Sequence, residues 1–225
     1  MGWLWLVVKP VPVLCLGWWV LGAPRSAYRD RLAAGLALSA AGDVLIEWSF
    51  AAGLAAFLLA HIAYIAAFLA DTKRPHLVRA IPIALYGVAV TAFLWAGLGE
   101  MRPAVMAYVI AICGMVWRAA ARVGESGVSR PGEWAGLAGA ILFALSDTLI
   151  AFDRFHSPIA GVQLPIILLY WAGQLGIAMS AAPGGGGDRG SERRPEGAMR
   201  RAGPAATGRR AAGGGNASSR PGHRR

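Results

Sequence analysis

Seven long apolar segments constrain the fold of this chain more than any other feature of its sequence. Each approaches the ~20 residues that an α-helix needs to cross about 30 Å of hydrocarbon. The segments are Trp3 to Leu21, Leu32 to Ile46 with an extension to Ala52, Leu54 to Ala70, Val78 to Leu98, Ala104 to Ala120, Glu133 to Phe152, and Ile159 to Ala182. Hydrophobic residues make up 56% of the chain and charged residues only 15%, which is far from a water-soluble composition. Because no segment alternates apolar and polar residues as a membrane barrel does, the sequence predicts an all-α, polytopic transmembrane helix bundle with seven spans.

The basic residues predict the orientation of this bundle. Of the 22 Lys and Arg residues, ten arginines follow residue 182, and most of the others lie in the first, third and fifth connections between segments. Arg102 and Arg154 are the basic residues of the connections at the other end. By the positive-inside rule, the C-terminus is expected in the cytoplasm and the N-terminus outside. The Ala-, Gly- and Arg-rich composition is typical of a bacterial chain, so we expect a multi-pass protein of a bacterial inner membrane.

A change of composition at Pro183 predicts a domain boundary. Residues 1–182 contain the apolar segments, whereas residues 183–225 are rich in Gly and Arg and offer almost nothing that could form a core. We expect a transmembrane domain followed by a disordered, Arg/Gly-rich cytoplasmic tail. A basic tail of this kind is attracted to anionic membrane lipids, and since no folded nucleic-acid-binding module accompanies it, nucleic acid is not an expected partner.

Two similar five-residue motifs each place one aspartate inside an apolar segment. They are G-D-V-L-I around Asp43 and S-D-T-L-I around Asp147. An Asp at the centre of a membrane helix costs roughly 2.5 to 3.5 kcal/mol on insertion scales, so such residues usually face a bundle interior or a wet cavity. At ~1.5 Å per residue, Lys9, Asp43 and Asp147 lie at roughly 6 to 11 Å from the outer ends of their helices. The sequence therefore predicts a carboxyl pair at one depth in the membrane.

This pair is open to several interpretations. Two carboxyls in one low-dielectric site cannot both ionise easily, which suits a general acid next to a general base. They could instead form packing hydrogen bonds or an ion pair with Lys9, or carry protons or a cation in a small transporter or lipid-binding membrane protein. A seven-helix receptor is supported only by the helix count.

The remaining polar residues within the apolar segments are candidates for binding or supporting roles. They are Lys9, His61, Tyr64, Tyr170 and Gln174. Tyr64 follows His61 by three residues, so the two share a helix face. Glu47 lies one turn after Asp43, next to the outer interface, and we expect it at the rim of the site.

The order of these residues is typical of a parallel internal repeat. The pair His61 and Tyr64 follows the first aspartate segment, and the pair Tyr170 and Gln174 follows the second. Such a repeat would relate the two aspartates by a pseudo-two-fold axis.

The histidines do not favour a metal site. A zinc hydrolase normally uses two or three His, or His with carboxylates. Of the four histidines, His76, His156 and His223 fall in connections or in the tail, and only His61 lies within an apolar segment. We therefore expect no metal and no cofactor. Catalysis by a Ser-His-Asp triad is not expected either, because Gly-x-Ser-x-Gly is absent.

Five segments, in order along the chain, resemble the signature segments of the YhhN-type lysoplasmalogenases. They are K-P at 9–10, G-D at 42–43, FLLAHIAY at 57–64, GAILFALSDTLIA at 139–151 and YWAGQL at 170–175. That family is usually drawn with eight membrane helices, one of them before the Lys-Pro segment. We expect the corresponding helix to be missing or shortened in this chain.

The resemblance implies a lysophospholipid substrate and a catalytic domain within residues 1–182. The implied reaction is hydrolysis of the vinyl ether of a lysoplasmalogen to a fatty aldehyde and a glycerophospho-ethanolamine or glycerophospho-choline, with related ether or ester lysolipids as other targets. Asp43 and Asp147 would be the catalytic pair, one protonating the alkenyl carbon and the other stabilising the oxocarbenium ion and orienting water. The supporting residues would hold the headgroup, the glycerol hydroxyl or the carboxylates. No sequence feature sets an oligomeric state.

Overall fold

The computed structural model describes residues 8–125 and 130–181, so the tail predicted at 183–225 and the start of the first apolar segment lie outside the described residues. Within these ranges the chain forms seven α-helices, one on each predicted segment, and no β-strand. The helices are α1 (Pro10–Leu21), α2 (Ala27–Trp48), α3 (Phe50–Asp71), α4 (Leu77–Leu94), α5 (Arg102–Arg122, preceded by a 3-10 turn at Gly99–Met101), α6 (Arg130–Phe155) and α7 (Gln163–Met179). The prediction of an all-α helix bundle is confirmed.

Six of these helices form a closed ring. Each packs against the next in the order α1, α2, α3, α5, α6, α7, and α7 packs back against α1. The remaining helix, α4, lies against α5 and α6. Exchanging α1–α3 with α5–α7 leaves this order of neighbours unchanged, as a parallel repeat would require. The repeat itself stays a prediction.

A single residue separates α2 from α3, so the expected extension of the second segment to Ala52 is wrong. Ser49 has an extended backbone, with φ −150° and ψ 117°, and its Oγ accepts a hydrogen bond from the amide of Ala52 at 3.3 Å. Serine is a favoured N-cap because its side chain satisfies an amide that the helix leaves unpaired. The chain therefore reverses at Ser49, and α3 begins at Phe50 rather than at Leu54.

The connections with many basic residues meet at one end of the bundle, here called the basic end. Arg118 of α5 donates to the carbonyls of Thr72 and Arg74 at 2.5 and 3.0 Å, and Arg122 forms an ion pair with Asp71 at 2.6 Å. These bonds join the connection after α3 to the last turn of α5. The α2–α3, α4–α5 and α6–α7 connections lie at the opposite end. Which end faces the cytoplasm stays a prediction from the positive-inside rule.

The outer surface of the bundle suits hydrocarbon. Among the described residues, four helices are long and apolar enough to cross a membrane: α3, α4, α6 and the stretch Gly99–Arg122 that contains α5. The helices α1 and α7 are apolar but shorter. On α4 the side chains of Ile81, Leu85 and Val88 are 57, 65 and 67% exposed, a large apolar surface that water would not tolerate well. The chain is a membrane protein.

Glycines bring α6 and α7 into backbone contact. A Cβ on Gly139 would lie 2.5 Å from the backbone nitrogen of Ile177 and 2.6 Å from the carbonyl oxygen of Gly173. Membrane helices associate through small residues in this way, because lipid supplies no hydrophobic force between them. The contact sets the position of Asp147 on α6 relative to Tyr170 on α7.

We expect Gly139→Ala to destabilise the protein by about 1–3 kcal/mol, the usual effect of overpacking, because the added methyl overlaps the backbone of α7. Thermal unfolding in detergent measures the change. Gly17→Ala on α1 is the matched control, since its Cβ would meet Leu36 Cβ at an ordinary 3.8 Å. Equal melting temperatures for the two variants would contradict the close α6–α7 contact.

Candidate active site

A cavity of about 1340 Å³ runs along the inside of the bundle. One end of it lies near Arg79 and Ala120, at the basic end of the bundle, and the other lies near Lys9 and Glu47, at the end opposite the basic end. Residues of α2, α3, α4, α5, α6 and α7 line it. Its volume exceeds the ~300–1,000 Å³ of most small-molecule pockets. Both aspartates singled out in the sequence line it. The cavity is therefore the place where their chemistry would occur.

Asp43 enters the cavity from α2. It is 4% exposed, and its Oδ2 accepts a hydrogen bond of 2.7 Å from the hydroxyl of Tyr170. The ring of Tyr170 is packed edge-on by Phe57 and Phe143, with centroid distances of 5.9 and 5.3 Å. These ring contacts fix the tyrosine, and the tyrosine fixes the orientation of the carboxyl group.

Asp147 faces the same cavity from α6, and a second tyrosine holds it. The hydroxyl of Tyr108 on α5 donates to Asp147 Oδ2 at 2.5 Å, and Tyr108 is buried. Sequence reasoning does not identify this residue. The signal that could have done so is its depth, because tyrosines of membrane proteins concentrate at the interfaces, whereas Tyr108 lies inside a span.

The two carboxyls share one arrangement. In each, a tyrosine hydroxyl donates a hydrogen bond to Oδ2, and no group in the described part of the chain hydrogen-bonds to Oδ1. Asp43 is buried and Asp147 is half-buried. A buried polar group without any partner costs about 1–3 kcal/mol, so the tyrosine bond stabilises Asp43 in particular. The free oxygen of each carboxyl is available to a ligand or to water.

His61 packs behind the site. It is fully buried and does not line the cavity. Its ring lies against Tyr108 and Phe143 at centroid distances of 5.0 and 4.9 Å, and neither ring nitrogen has a hydrogen-bond partner among the described residues. The geometry gives His61 a supporting contact with the tyrosine that holds Asp147. Any direct role in substrate binding stays a prediction.

Tyr64 and Gln174 belong to a buried hydrogen-bonded cluster outside the cavity wall. The Tyr64 hydroxyl donates to Gln174 Oε1 at 2.8 Å and shares a hydrogen bond of 3.2 Å with Ser39 Oγ. The Tyr64 ring occupies the space beside Gly35, where a Cβ would lie 2.3 Å from the ring. The cluster joins α3 to α2 and α7, and these last two helices carry Asp43 and Tyr170.

Lys9 forms an ion pair with Glu47, so the alternative in which it pairs with an aspartate does not occur in this structure. Both residues line the cavity, and Glu47 lies one helical turn beyond Asp43 on α2. This is the rim position expected for Glu47.

The other histidines lie away from the carboxyl pair. At the basic end, His76 hydrogen-bonds to Glu125 at 2.6 Å, and this bond lowers the pKa of the Glu125 carboxyl. At the opposite end, His156 packs on Phe93 with a centroid distance of 4.7 Å. His223 lies outside the described residues. Within residues 8–125 and 130–181, no group of three or more His, Cys, Asp or Glu side chains is placed to hold a metal ion.

The fold and the candidate site define a class of protein, a helical membrane protein in which two tyrosine-bound carboxyls line one cavity. Comparison of sequences narrows this class. The YhhN family matches residues 4–181, and the chain belongs to that family.

Several proteins named lysoplasmalogenase are similar to this chain in sequence. The human protein named lysoplasmalogenase TMEM86B is 36% identical over 185 residues, which cover 80% of this chain and 76% of the human protein. Lysoplasmalogenase TMEM86A of Bos taurus is 34% identical, and the match covers 80% of this chain and 79% of the bovine protein. A lysoplasmalogenase of Mycobacterium bovis is 31% identical, and the match covers 68% of this chain and 60% of the mycobacterial protein. No solved structure matches the chain.

Tyr64 and His61 are both buried, but loss of a polar group should affect stability differently at the two positions. Tyr64→Phe leaves Gln174 and Ser39 without their shared partner and should cost about 1–3 kcal/mol of stability. His61→Phe removes only nitrogens that have no described partner and keeps an aromatic ring, so it should cost less than about 1.5 kcal/mol. Thermal unfolding of both variants in the same detergent checks this. A larger loss for His61→Phe would show that the imidazole has a polar role.

Proposed function

We propose that this chain is a lysoplasmalogenase that hydrolyses the vinyl ether of a lysoplasmalogen, releasing a fatty aldehyde and a glycerophospho-ethanolamine or glycerophospho-choline. The observation that carries the proposal is the pair of tyrosine-bound carboxyls in one long cavity. Membership of the YhhN family and the names of the relatives support it.

The cavity suits a single-chain lipid. Beyond the carboxyls, toward the basic end, its wall is apolar and includes Val109, Ile112 and Val116 of α5 and Ile141 of α6. Such a surface favours a hydrocarbon chain, whereas the carboxyls provide the few polar groups that ligand sites typically use to fix orientation.

The proposed reaction begins with proton transfer from one neutral aspartate to the alkenyl carbon β to the ether oxygen. The resulting oxocarbenium ion is stabilised by the other, ionised aspartate, which also accepts a proton from the attacking water. A hemiacetal results. Transfer of a proton to its ether oxygen breaks the C–O bond, and loss of the hydroxyl proton leaves the aldehyde and the glycerol hydroxyl. The reaction consumes one water and restores both carboxyls.

The residues around the carboxyls would have positioning roles in this scheme. Tyr108 and Tyr170 hold Oδ2 of each aspartate, which leaves Oδ1 to exchange protons with substrate and water. His61, Tyr64 and Gln174 support these contacts from behind, and Lys9 lies at the polar end of the cavity. We further propose that residues 1–182 form the catalytic domain, in a bacterial inner membrane with the C-terminus in the cytoplasm.

Replacing either aspartate with asparagine tests the proposal. Asp43→Asn and Asp147→Asn should each lower aldehyde release from an alkenyl lysophosphatidylethanolamine by at least about 100-fold, the scale of general acid–base catalysis. Asparagine keeps the shape and can still accept the tyrosine hydrogen bond. Asp30→Asn, on an exposed surface ion pair, is the control and should retain activity.

The outcome separates the candidate functions. If folded wild type is inert on alkenyl, alkyl and acyl lysolipids, the hydrolase proposal fails and transport or lipid binding by the same aspartates becomes the better explanation. If wild type is active and either Asn variant retains full activity, the two-aspartate mechanism fails although the enzyme assignment stands.

The tyrosines should matter less than the carboxyls that they hold. Tyr108→Phe and Tyr170→Phe each remove one hydrogen bond to a carboxyl, so we expect kcat to fall about 10-fold, which corresponds to a bond worth about 1.4 kcal/mol. Tyr28→Phe is the matched control, because Tyr28 is buried and bonded to Ser180 at 2.5 Å, outside the cavity. Activity is compared per folded molecule. An unchanged kcat in both site variants would contradict the positioning role.

A further inference from the structure

The polar end of the cavity carries more charge than the hydrolysis scheme uses. Four charged side chains line it: Lys9, Glu47, Asp153 and Arg154, here called the charged end. Two are cationic and two are anionic, so their charges cancel. A net-neutral group with separated charges is the natural complement of a zwitterion, whereas a ligand with net negative charge would meet two carboxylates.

The charged end lies at a definite distance from the carboxyl pair. Glu47 follows Asp43 by one helical turn, and Arg154 follows Asp147 by two, which is about 6 and 10 Å along the helix axes. Both residues line the same cavity as the aspartates that precede them. In a lysoplasmalogen, five bonds of about 1.5 Å separate the ether oxygen from phosphorus, so the phosphate lies at most about 6–7 Å from the ether in an extended chain. The distance from the carboxyl pair to the charged end is therefore compatible with the distance from the ether oxygen to the phosphate.

The two cations at this end are placed differently. Lys9 is occupied by its ion pair with Glu47, and both side chains are about one-fifth exposed. The Arg154 guanidinium lies 4.2 Å above the ring of Phe50, and no carboxylate in the described residues forms an ion pair with it. Asp153 is tied to the α6–α7 connection through the amide of Ile159 at 2.7 Å. Arg154 is therefore the cation most available to an incoming phosphate.

The other end of the cavity is a poorer site for a phosphate. Arg79 lines it, but its Nη1 already donates to the carbonyls of Ala120 and Val123 at 2.6 and 2.8 Å. Ala120 is twelve residues beyond Tyr108 on α5, about 18 Å along the helix axis. A phosphate near Arg79 would thus lie too far from the carboxyl pair for the ether to react there.

We propose that the charged end is the headgroup subsite of the enzyme and selects zwitterionic phospho-ethanolamine or phospho-choline lysolipids over anionic lysophosphatidate. The phosphate binds to Arg154 and Lys9, and the ammonium group binds to Glu47 and Asp153. The alkenyl chain extends in the other direction, along the apolar wall toward the basic end. This inference rests on the proposed function, and it adds the residues that bind the headgroup and a fixed direction of binding.

The test uses the full chain in detergent micelles with two substrates, alkenyl lysophosphatidylethanolamine and alkenyl lysophosphatidate. Wild type should prefer the zwitterion by about tenfold or more in kcat/KM. Arg154→Gln should raise KM about tenfold for both substrates with a smaller change in kcat, since it removes a charge-assisted contact with phosphate. Glu47→Gln should reduce the preference for the zwitterion several-fold.

The chain offers matched controls at the same end of the bundle. Arg102 lies 4.8 Å above the Trp95 ring, much as Arg154 lies above its own ring, but Arg102 does not line the cavity. Glu100 is likewise outside the cavity wall. Arg102→Gln and Glu100→Gln should keep wild-type KM and wild-type preference. The ratio between two substrates also removes any effect of partial unfolding from the Glu47→Gln result.

The outcomes distinguish the subsite from the activity. If wild type is active but Arg154→Gln matches Arg102→Gln in KM, or Glu47→Gln keeps the full preference, the subsite is wrong and the lysoplasmalogenase assignment stands. If wild type releases no aldehyde, the proposed function fails, and binding of acyl lysophosphatidylethanolamine, followed by tryptophan fluorescence, tests the subsite alone. Weaker binding by Arg154→Gln than by Arg102→Gln would support it, and equal binding would overturn it.

Discussion

The site depends on one interaction made twice, a tyrosine hydroxyl donating to a carboxyl oxygen within the helix bundle. A carboxyl group in apolar surroundings is costly unless it is hydrogen-bonded. Tyr170 and Tyr108 meet this requirement for Asp43 and Asp147. Both bonds use Oδ2, so each carboxyl has a hydrogen-bond donor while no described group hydrogen-bonds to its Oδ1.

The two tyrosine–aspartate pairs are parts of one packed unit. The ring of Phe143 contacts both Tyr170 and His61, and His61 contacts Tyr108. A displacement of one tyrosine would therefore be transmitted through packed rings to the other, since close-packed interiors transmit strain. The glycine contact between α6 and α7 has the same effect on the backbone, because it holds the helix of one aspartate against the helix that carries the other's tyrosine.

Several features could be predicted because they depend on local sequence. Apolar segments of membrane length locate all seven helices, and an aspartate within such a segment is conspicuous. Other features could not be predicted. The boundary at Ser49 lies inside a continuous apolar stretch, where an N-cap looks like any other serine of the span. Tyr108 carries no local sign of its partner, and the same is true of the ion pair that takes Lys9 away from the aspartates.

The sequence by itself determined the class of structure, the seven helical segments and the presence of one carboxyl in each of two of them, because the bilayer imposes strict limits on length and polarity within each segment. Tertiary structure alone decided which groups satisfy those carboxyls. Asp43 and Tyr170 are 127 residues apart, on α2 and α7, and Asp147 and Tyr108 are 39 residues apart, on α6 and α5. Hydrogen bonding over such separations follows from helix packing, which no short stretch of sequence encodes.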